Sequence, residues 1–242
     1  MKKKFLFLPT ALPFYILFLL VPFFLLAIVA LFGYDASSMT EKVLGLTSPV
    51  SLAIYLAILL GSLVNIPVYD FKSSSDTEPK FVSYMGMRYP LPVWHGHKTV
   101  IAINLGGCII SGALGIYLAW TMPLLPLLLT VIIVALAVYA TAQPVRSVGV
   151  IVPVWIPPVV SIITSFIAIY LYADGNNFFD LARMAFPAGV FGTIAGANVL
   201  HAKSIRRLGA SVVSAGGVGT FESILITGMI STIIAALLGG AA

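Results

Sequence analysis

Residues 123–142 read PLLPLLLTVIIVALAVYATA, a stretch without a single charged side chain. At the rise of an α-helix, about 20 such residues cross the roughly 30 Å hydrocarbon core of a bilayer. Working outward from it, apolar segments of similar length occupy approximately residues 49–69, 99–120, 150–173, 178–200 and 209–238. A further run extends from Phe5 to about Gly33. It is much longer than the roughly 7–15 residues of a signal-peptide core and reads as a retained anchor, kinked at Pro9, Pro13 and Pro22. The chain is therefore expected to be an all-α integral membrane protein with about seven transmembrane helices, a single polytopic domain over residues 1–242. The break at Pro123 is the weakest joint, because two spans meet there with almost no loop.

The charges orient this arrangement. Lys2, Lys3, Lys4, Lys72, Lys80, Arg88, Lys98, Arg146, Lys203, Arg206 and Arg207 fall in alternate loops, and only Lys42 and Arg183 fall on the other side. Eleven basic residues against two place the N-terminus in the cytoplasm and the chain as a multi-pass protein of the plasma membrane. Composition agrees: 60% of residues are hydrophobic and 9% charged, far from the roughly one-quarter charged content of a soluble domain. The net charge of +5 does not signal nucleic acid, since the basic residues are spread over short loops rather than gathered on one surface. Cys108 is the sole cysteine, so no internal disulfide forms, and it reads as a small packing residue.

One loop, residues 71–98, is long enough to fold. Residues 81–89 and 92–103 carry aromatic and β-branched side chains on either side of Tyr89-Pro90-Leu91-Pro92, which predicts a small cytoplasmic β-hairpin. His95 and His97 have metal-ligand chemistry, but no third ligand lies near them in sequence, so no metal is expected. Trp94, Tyr84 and Tyr89 suit the headgroup level.

Function is sought among polar groups inside apolar segments, where burying an acid costs roughly 2.5–3.5 kcal/mol on insertion scales. Glu222 follows Ser214-Ala215-Gly216-Gly217-Val218-Gly219-Thr220, a stretch too rich in glycine for a robust helix. Thr220 is expected to cap a fresh helix whose positive N-terminus favours the carboxylate. Asn104 and Asn198 add amide groups, with Asn65 and Arg146 as candidates to support them from behind. Two readings stand side by side. In one, the broken helix and the substrate- or ion-binding set Asn104, Asn198 and Glu222 form a site in a cytoplasm-facing vestibule, with Arg146 paired to Glu222. In the other, Gly189, Gly192, Gly196 and the amides serve close helix packing, and Arg146 meets lipid phosphate. Pro153, Pro157 and Pro158 around Trp155 predict a bent or irregular start to the fifth span.

Four segments together resemble a known group: Asn104-Leu105-Gly106-Gly107, Val152-Pro153 to Pro157-Pro158, Gly192 to Asn198, and Gly216 to Glu222. In order and spacing, from about Ser62 to Leu238, the chain is similar to an uncharacterised prokaryotic, often archaeal, family of polytopic membrane proteins, the domain of unknown function numbered sixteen-fourteen. The first span lies outside the resemblance. The resemblance implies acidic residues at the places of Asn198 and Glu222, and this chain keeps only the second. A shared-proton mechanism between two carboxylates is accordingly not expected, because an amide does not ionise.

Asp70 in Val68-Tyr69-Asp70 superficially resembles the tyrosine-aspartate motif of presenilin-like proteases, but no glycine-x-glycine-aspartate partner follows. Phosphate-binding, zinc-protease, dithiol and nucleophile-elbow motifs are missing, and three histidines give poor support for haem. A quinone pocket needs no short motif and stays open. No catalytic residue and no cofactor are assigned. The expected function is a transporter or channel with a polar site at a glycine-broken helix. The alternatives are a non-catalytic integral subunit or assembly factor of a larger complex, and an intramembrane hydrolase. Expected partners are the lipid bilayer, a small ion or solute, and membrane subunits or further copies of the chain.

Overall fold

The computed structural model describes residues 6–7, 41–72, 81–84, 87–90, 98–145, 149–172 and 179–239. Over these residues the chain is mostly helical, with a four-stranded sheet and two short strand pairs. The strands are β1 (Leu6–Phe7), β2 (Val64–Lys72), β3 (Phe81–Tyr84), β4 (Met87–Pro90), β5 (Lys98–Asn104), β6 (Gln143–Val145), β7 (Gly149–Ile151) and β8 (Val212–Ala215). The helices are α1 (Ser48–Gly61), α2 (Ser111–Ala119), α3 (Leu124–Thr141), α4 (Ile156–Tyr172), α5 (Phe179–Ile194), the single turn α6 (Ala202–Ile205) and α7 (Phe221–Gly239). Two π-helical segments, Leu105–Ile110 and Ala195–Val199, lead into α2 and out of α5.

Seven continuous helical spans are not what the chain builds. Of the described helices, α3 alone is both long and apolar enough to cross a membrane by length and composition. The expected spans at 49–69 and 99–120 are each part helix and part strand: α1 ends at Gly61 and β2 begins at Val64, while β5 precedes the π-segment at Leu105. Val64, Ile66, Val68, Tyr69 and Phe71 suit a pleated surface better than a helix, and Pro67 sits where the register with β5 slips. β5 is similarly rich in β-branched residues. The pair runs antiparallel from Asn65↔Asn104 to Lys72↔Lys98; β8 adds parallel to β5, and β1 edges β2. Leu6–Phe7 is thus strand, and the rest of the expected first span lies outside the described residues.

The loop hairpin exists, displaced from its expected turn. β3 pairs with β4 from Phe81↔Pro90 to Tyr84↔Met87, so both strands of the hairpin precede Leu91, and Tyr89-Pro90 belongs to its second strand rather than to its turn. The fifth span begins irregularly, as its prolines require. Helix α4 starts at Ile156, and Pro157 and Pro158 fall in the first turn, where a missing N–H costs nothing.

The centre is an antiparallel pair, α5 and α7. Phe186 packs over Gly228 and Gly189 faces Thr227, while one turn further Gly192 and Gly196 admit Val134 and Val138 of α3. Phe191 fills the space beside Gly115 of α2. The outer helices are apolar outward. On α4, Ser161 and Ser165 are fully buried, whereas Val159, Ile163, Phe166, Ile167, Tyr170 and Leu171 are exposed. On α3, Thr130 is buried while Leu128, Leu129, Ile132, Ile133 and Leu136 are exposed. These two helices are apolar on the exposed face as well as on the buried one, unlike the amphipathic surface helices of a water-soluble bundle.

The two ends of the bundle differ in charge. At the end without the sheet, Arg183 Nε donates to Val43 O at 2.8 Å and Nη2 to Lys42 O at 3.0 Å, with Asp180 at 3.3 Å from Nη1. Lys72, Lys98, Lys203, Arg206 and Arg207 lie with the sheet or the segment packed on it.

Candidate functional site

The sheet ends in a buried polar joint. Asn65 and Asn104 are register partners at the inner end of β2 and β5, each about 1% exposed. Asn104 Nδ2 donates to Ser62 O at 2.7 Å and to Asn65 Oδ1 at 3.1 Å, and its Oδ1 accepts from Gly107 N at 2.8 Å. That last bond caps the π-segment. Ser214 Oγ of β8 donates to the same Asn65 oxygen, tying the third strand in. Both protons and the oxygen of the Asn104 amide are therefore engaged internally. Asn104 and Asn65 act as a staple holding three strands and a helix start.

The two glycine-rich motifs meet at this joint. A Cβ on Gly107 would overlap Gly216 O and come within 2.9 Å of the Phe221 ring, and Gly216 itself has φ +69°. From there the chain turns into α7. Gly217 O accepts from Thr220 N at 3.0 Å, Phe221 N at 2.8 Å and Thr220 Oγ1 at 3.0 Å. Thr220 thus stands before the helix as expected, but its hydroxyl donates back to the turn instead of accepting a helix amide. Gly219 O accepts from Val152 N at 2.9 Å, which docks the turn on the stretch leading to α4.

Glu222 sits in the first turn of α7, half-buried. Backbone N–H groups of Gly219 and of Glu222 itself face its carboxylate. Among the described residues it forms no ion pair. Next to it Ser223, about 1% exposed, has a hydroxyl with no partner, and so has the fully buried Thr193 of α5. The antiparallel register that sets Gly189 against Thr227 carries Thr193 one turn along to the level of Ser223. Sequence reasoning passed over these two hydroxyls. Their signal was faint, since a serine or threonine within a helix ordinarily bonds its own preceding carbonyl, as Thr227 does to Ser223 O at 2.7 Å.

Asn198 does not join them. Ile101↔Val213 and Ile103↔Ala215 share one face of the sheet, and Ala102↔Ser214 share the other with Asn104. Asn198, in the second π-segment, lies on the Ile101–Val213–Ala215 face, beside a cavity of about 150 Å³. The expected set of Asn104, Asn198 and Glu222 is thus split by the sheet. Arg146, His95 and His97 lie outside the described residues. Asp70 pairs with Lys98 at 3.3 Å on the exposed part of β2 and β5. Among the described residues no cluster of His, Cys, Asp and Glu is suited to a metal, and Cys108 is a half-buried free thiol in the first π-segment.

Residues 59–234 match the profile of a family described as "Protein of unknown function (DUF1614)". No curated protein and no solved structure matches the chain significantly.

Proposed function

For this chain, which belongs to the DUF1614 family of proteins of unknown function, we propose an integral membrane protein that crosses the plasma membrane several times and conducts a small cation or a proton through a polar site at Glu222. The membrane reading is supported by the exposed apolar faces of α3 and α4, helices that are apolar nearly all round. It is also supported by the segregation of Lys42 and Arg183 from the basic residues at the sheet end, which makes the sheet end cytoplasmic. Helices α1, α2, α3, α4, α5 and α7 then run alternately between the two ends, with α1 followed by strand β2 and with π-segments at the sheet ends of α2 and α5.

The observation that carries the cation reading is the carboxylate of Glu222, which has no basic partner among the described residues, in the same helix start as Ser223, whose hydroxyl, like that of Thr193, is buried without a partner. Carboxylate and hydroxyl oxygens are hard ligands for a small cation, and a helix that starts inside the bundle is a recurrent setting for such sites. Asn65 and Asn104 then fix the turn that presents Glu222 rather than bind the ion themselves.

The test is flux of protons, sodium and potassium into proteoliposomes holding the purified chain. Glu222→Gln is expected to lower the active flux at least tenfold with unchanged insertion and melting, and Glu222→Asp to retain part of it. Flux unaffected by Glu222→Gln, or no flux of any of the three ions, overturns the proposal.

A further inference from the structure

The cavity on the opposite face of the sheet is built from two unlike parts. Its wall is apolar: Ile101, Val213 and Ala215 from β5 and β8, and Ala202 and Ile205 from α6. Arg206 stands at its rim. Lys203, Arg206 and Arg207 are all exposed, and no acidic residue occurs between positions 195 and 215. Among the described residues none of the three basic side chains forms an ion pair. Asn198 adds a buried amide oxygen without a hydrogen-bond partner. The segment that carries it is π-helical, a local widening that recurs at binding sites.

An apolar void of about 150 Å³ admits a small hydrocarbon, and Arg206 at its rim, with Lys203 and Arg207 exposed close by in sequence, selects an anion. One molecule with both features is an anionic phospholipid. The surface beside the basic residues favours it over a soluble anion, because Val199 and Leu200 are 65% and 46% exposed there. A phosphate free in water gains nothing from that apolar rim, whereas a lipid covers it.

We propose that this face is a binding site for one anionic phospholipid, its headgroup on Lys203, Arg206 and Arg207, a hydroxyl of its headgroup or glycerol donating to Asn198 Oδ1, and an acyl segment in the cavity. The proposal rests on the membrane reading but not on ion conduction. Basic pockets on the cytoplasmic side of membrane bundles bind acidic headgroups in this way.

The test uses the full chain, extracted in mild detergent from carbonate-washed membranes and then exchanged into nanodiscs of phosphatidylcholine with a minor fraction of phosphatidylglycerol. Native mass spectrometry after release into detergent is expected to show one retained phosphatidylglycerol per chain. The triple substitution Lys203→Gln, Arg206→Gln, Arg207→Gln is expected to lower its retention at least tenfold. Ala202→Phe, at an exposed position lining the cavity, is expected to do so with all charges intact and unchanged melting. Equal retention of the two lipids, retention unchanged in Ala202→Phe, or displacement by millimolar inorganic phosphate overturns the site. A chain absent from the washed membranes instead overturns the membrane reading, so the two failures are distinguishable.

Discussion

The carbonyl oxygen of Gly216 fills the space into which a side chain on Gly107 would project, so the start of the first π-segment and the turn before α7 meet backbone to backbone. Gly106 makes a second such contact, its missing side chain replaced by Ile58 O and by Ser62 N at 2.5 Å. Elements far apart in sequence are thereby locked at one joint, and the orientation of Glu222 depends on it.

Gly107→Ala is expected to cost about 3 kcal/mol or more, because the atoms in the way are backbone and have no rotamer to change. Gly112→Ala, one turn beyond, meets nothing nearer than Phe191 Cε1 at 4.0 Å. It is expected to be neutral or to stabilise by up to about 1 kcal/mol, as alanine for glycine does within a helix. Thermal melting of the two variants in detergent separates them; similar melting would mean the backbones do not touch.

The amide staple predicts coupling. Asn104→Ala removes a cap and leaves Ser62 O and Asn65 Oδ1 short of a donor, at a cost of about 2–4 kcal/mol. Asn65→Ala in the same background is expected to cost less than it does alone, with an interaction energy of about 1–3 kcal/mol. A double-mutant cycle read by chemical denaturation measures it, and strict additivity would show the two amides to be independent.

Much of this was legible in the sequence, and the failures have physical causes. The apolar runs, the break before Glu222 and the outlying pair Lys42 and Arg183 were all visible as composition and spacing. Strand character at 81–89 and 92–103 was visible too, but β2 was not, since Val64 to Tyr69 is an apolar continuation of a helical run, and neither was the pairing of β5 with β2 and β8. Period alone does not separate a buried strand from buried helix in runs this short. The division of Asn198 from Asn104 was invisible for another reason. It depends on the parallel pairing Ile103↔Ala215, a contact between residues more than a hundred positions apart. Thr193 and Ser223 stood out only once their burial was known.

Gly189 offers a rescue experiment. Its Cβ would overlap the Thr227 methyl, with the remaining Thr227 atoms at 3.1 Å. Gly189→Ala alone is expected to destabilise the α5–α7 pair by about 1–3 kcal/mol. Adding Thr227→Ser, which removes that methyl and keeps the bond to Ser223 O, is expected to restore at least half of the loss in melting temperature. Failure to restore it would place the strain elsewhere.

Asp70 and Lys98 supply the contrasting case. Their ion pair is exposed, 65% on the lysine side, and such pairs contribute about 0–1 kcal/mol. Asp70→Asn is therefore expected to leave melting almost unchanged and to leave ion flux at the level of the unmodified chain. A large loss of flux in that variant would reopen a functional role for Asp70.

Ile132 tests what surrounds the bundle. It lies at the middle of α3 and is 52% exposed, whereas Val134, two residues on, is fully buried against Gly192. If water bathed α3, Ile132→Arg would be benign or improve solubility, because an exposed charge there meets its preferred solvent. In hydrocarbon the same arginine costs roughly 2.5–3.5 kcal/mol on insertion scales, and its reach to either interface from mid-helix is poor. Val134→Arg is expected to destabilise in both environments, since it buries an unpaired charge. The discriminating measurement is the yield of each variant in carbonate-washed membranes together with its melting temperature. We expect both arginines to reduce yield several-fold. Wild-type yield and melting for Ile132→Arg beside a collapsed Val134→Arg would show that α3 faces water, and would remove the physical ground for a cation path at Glu222.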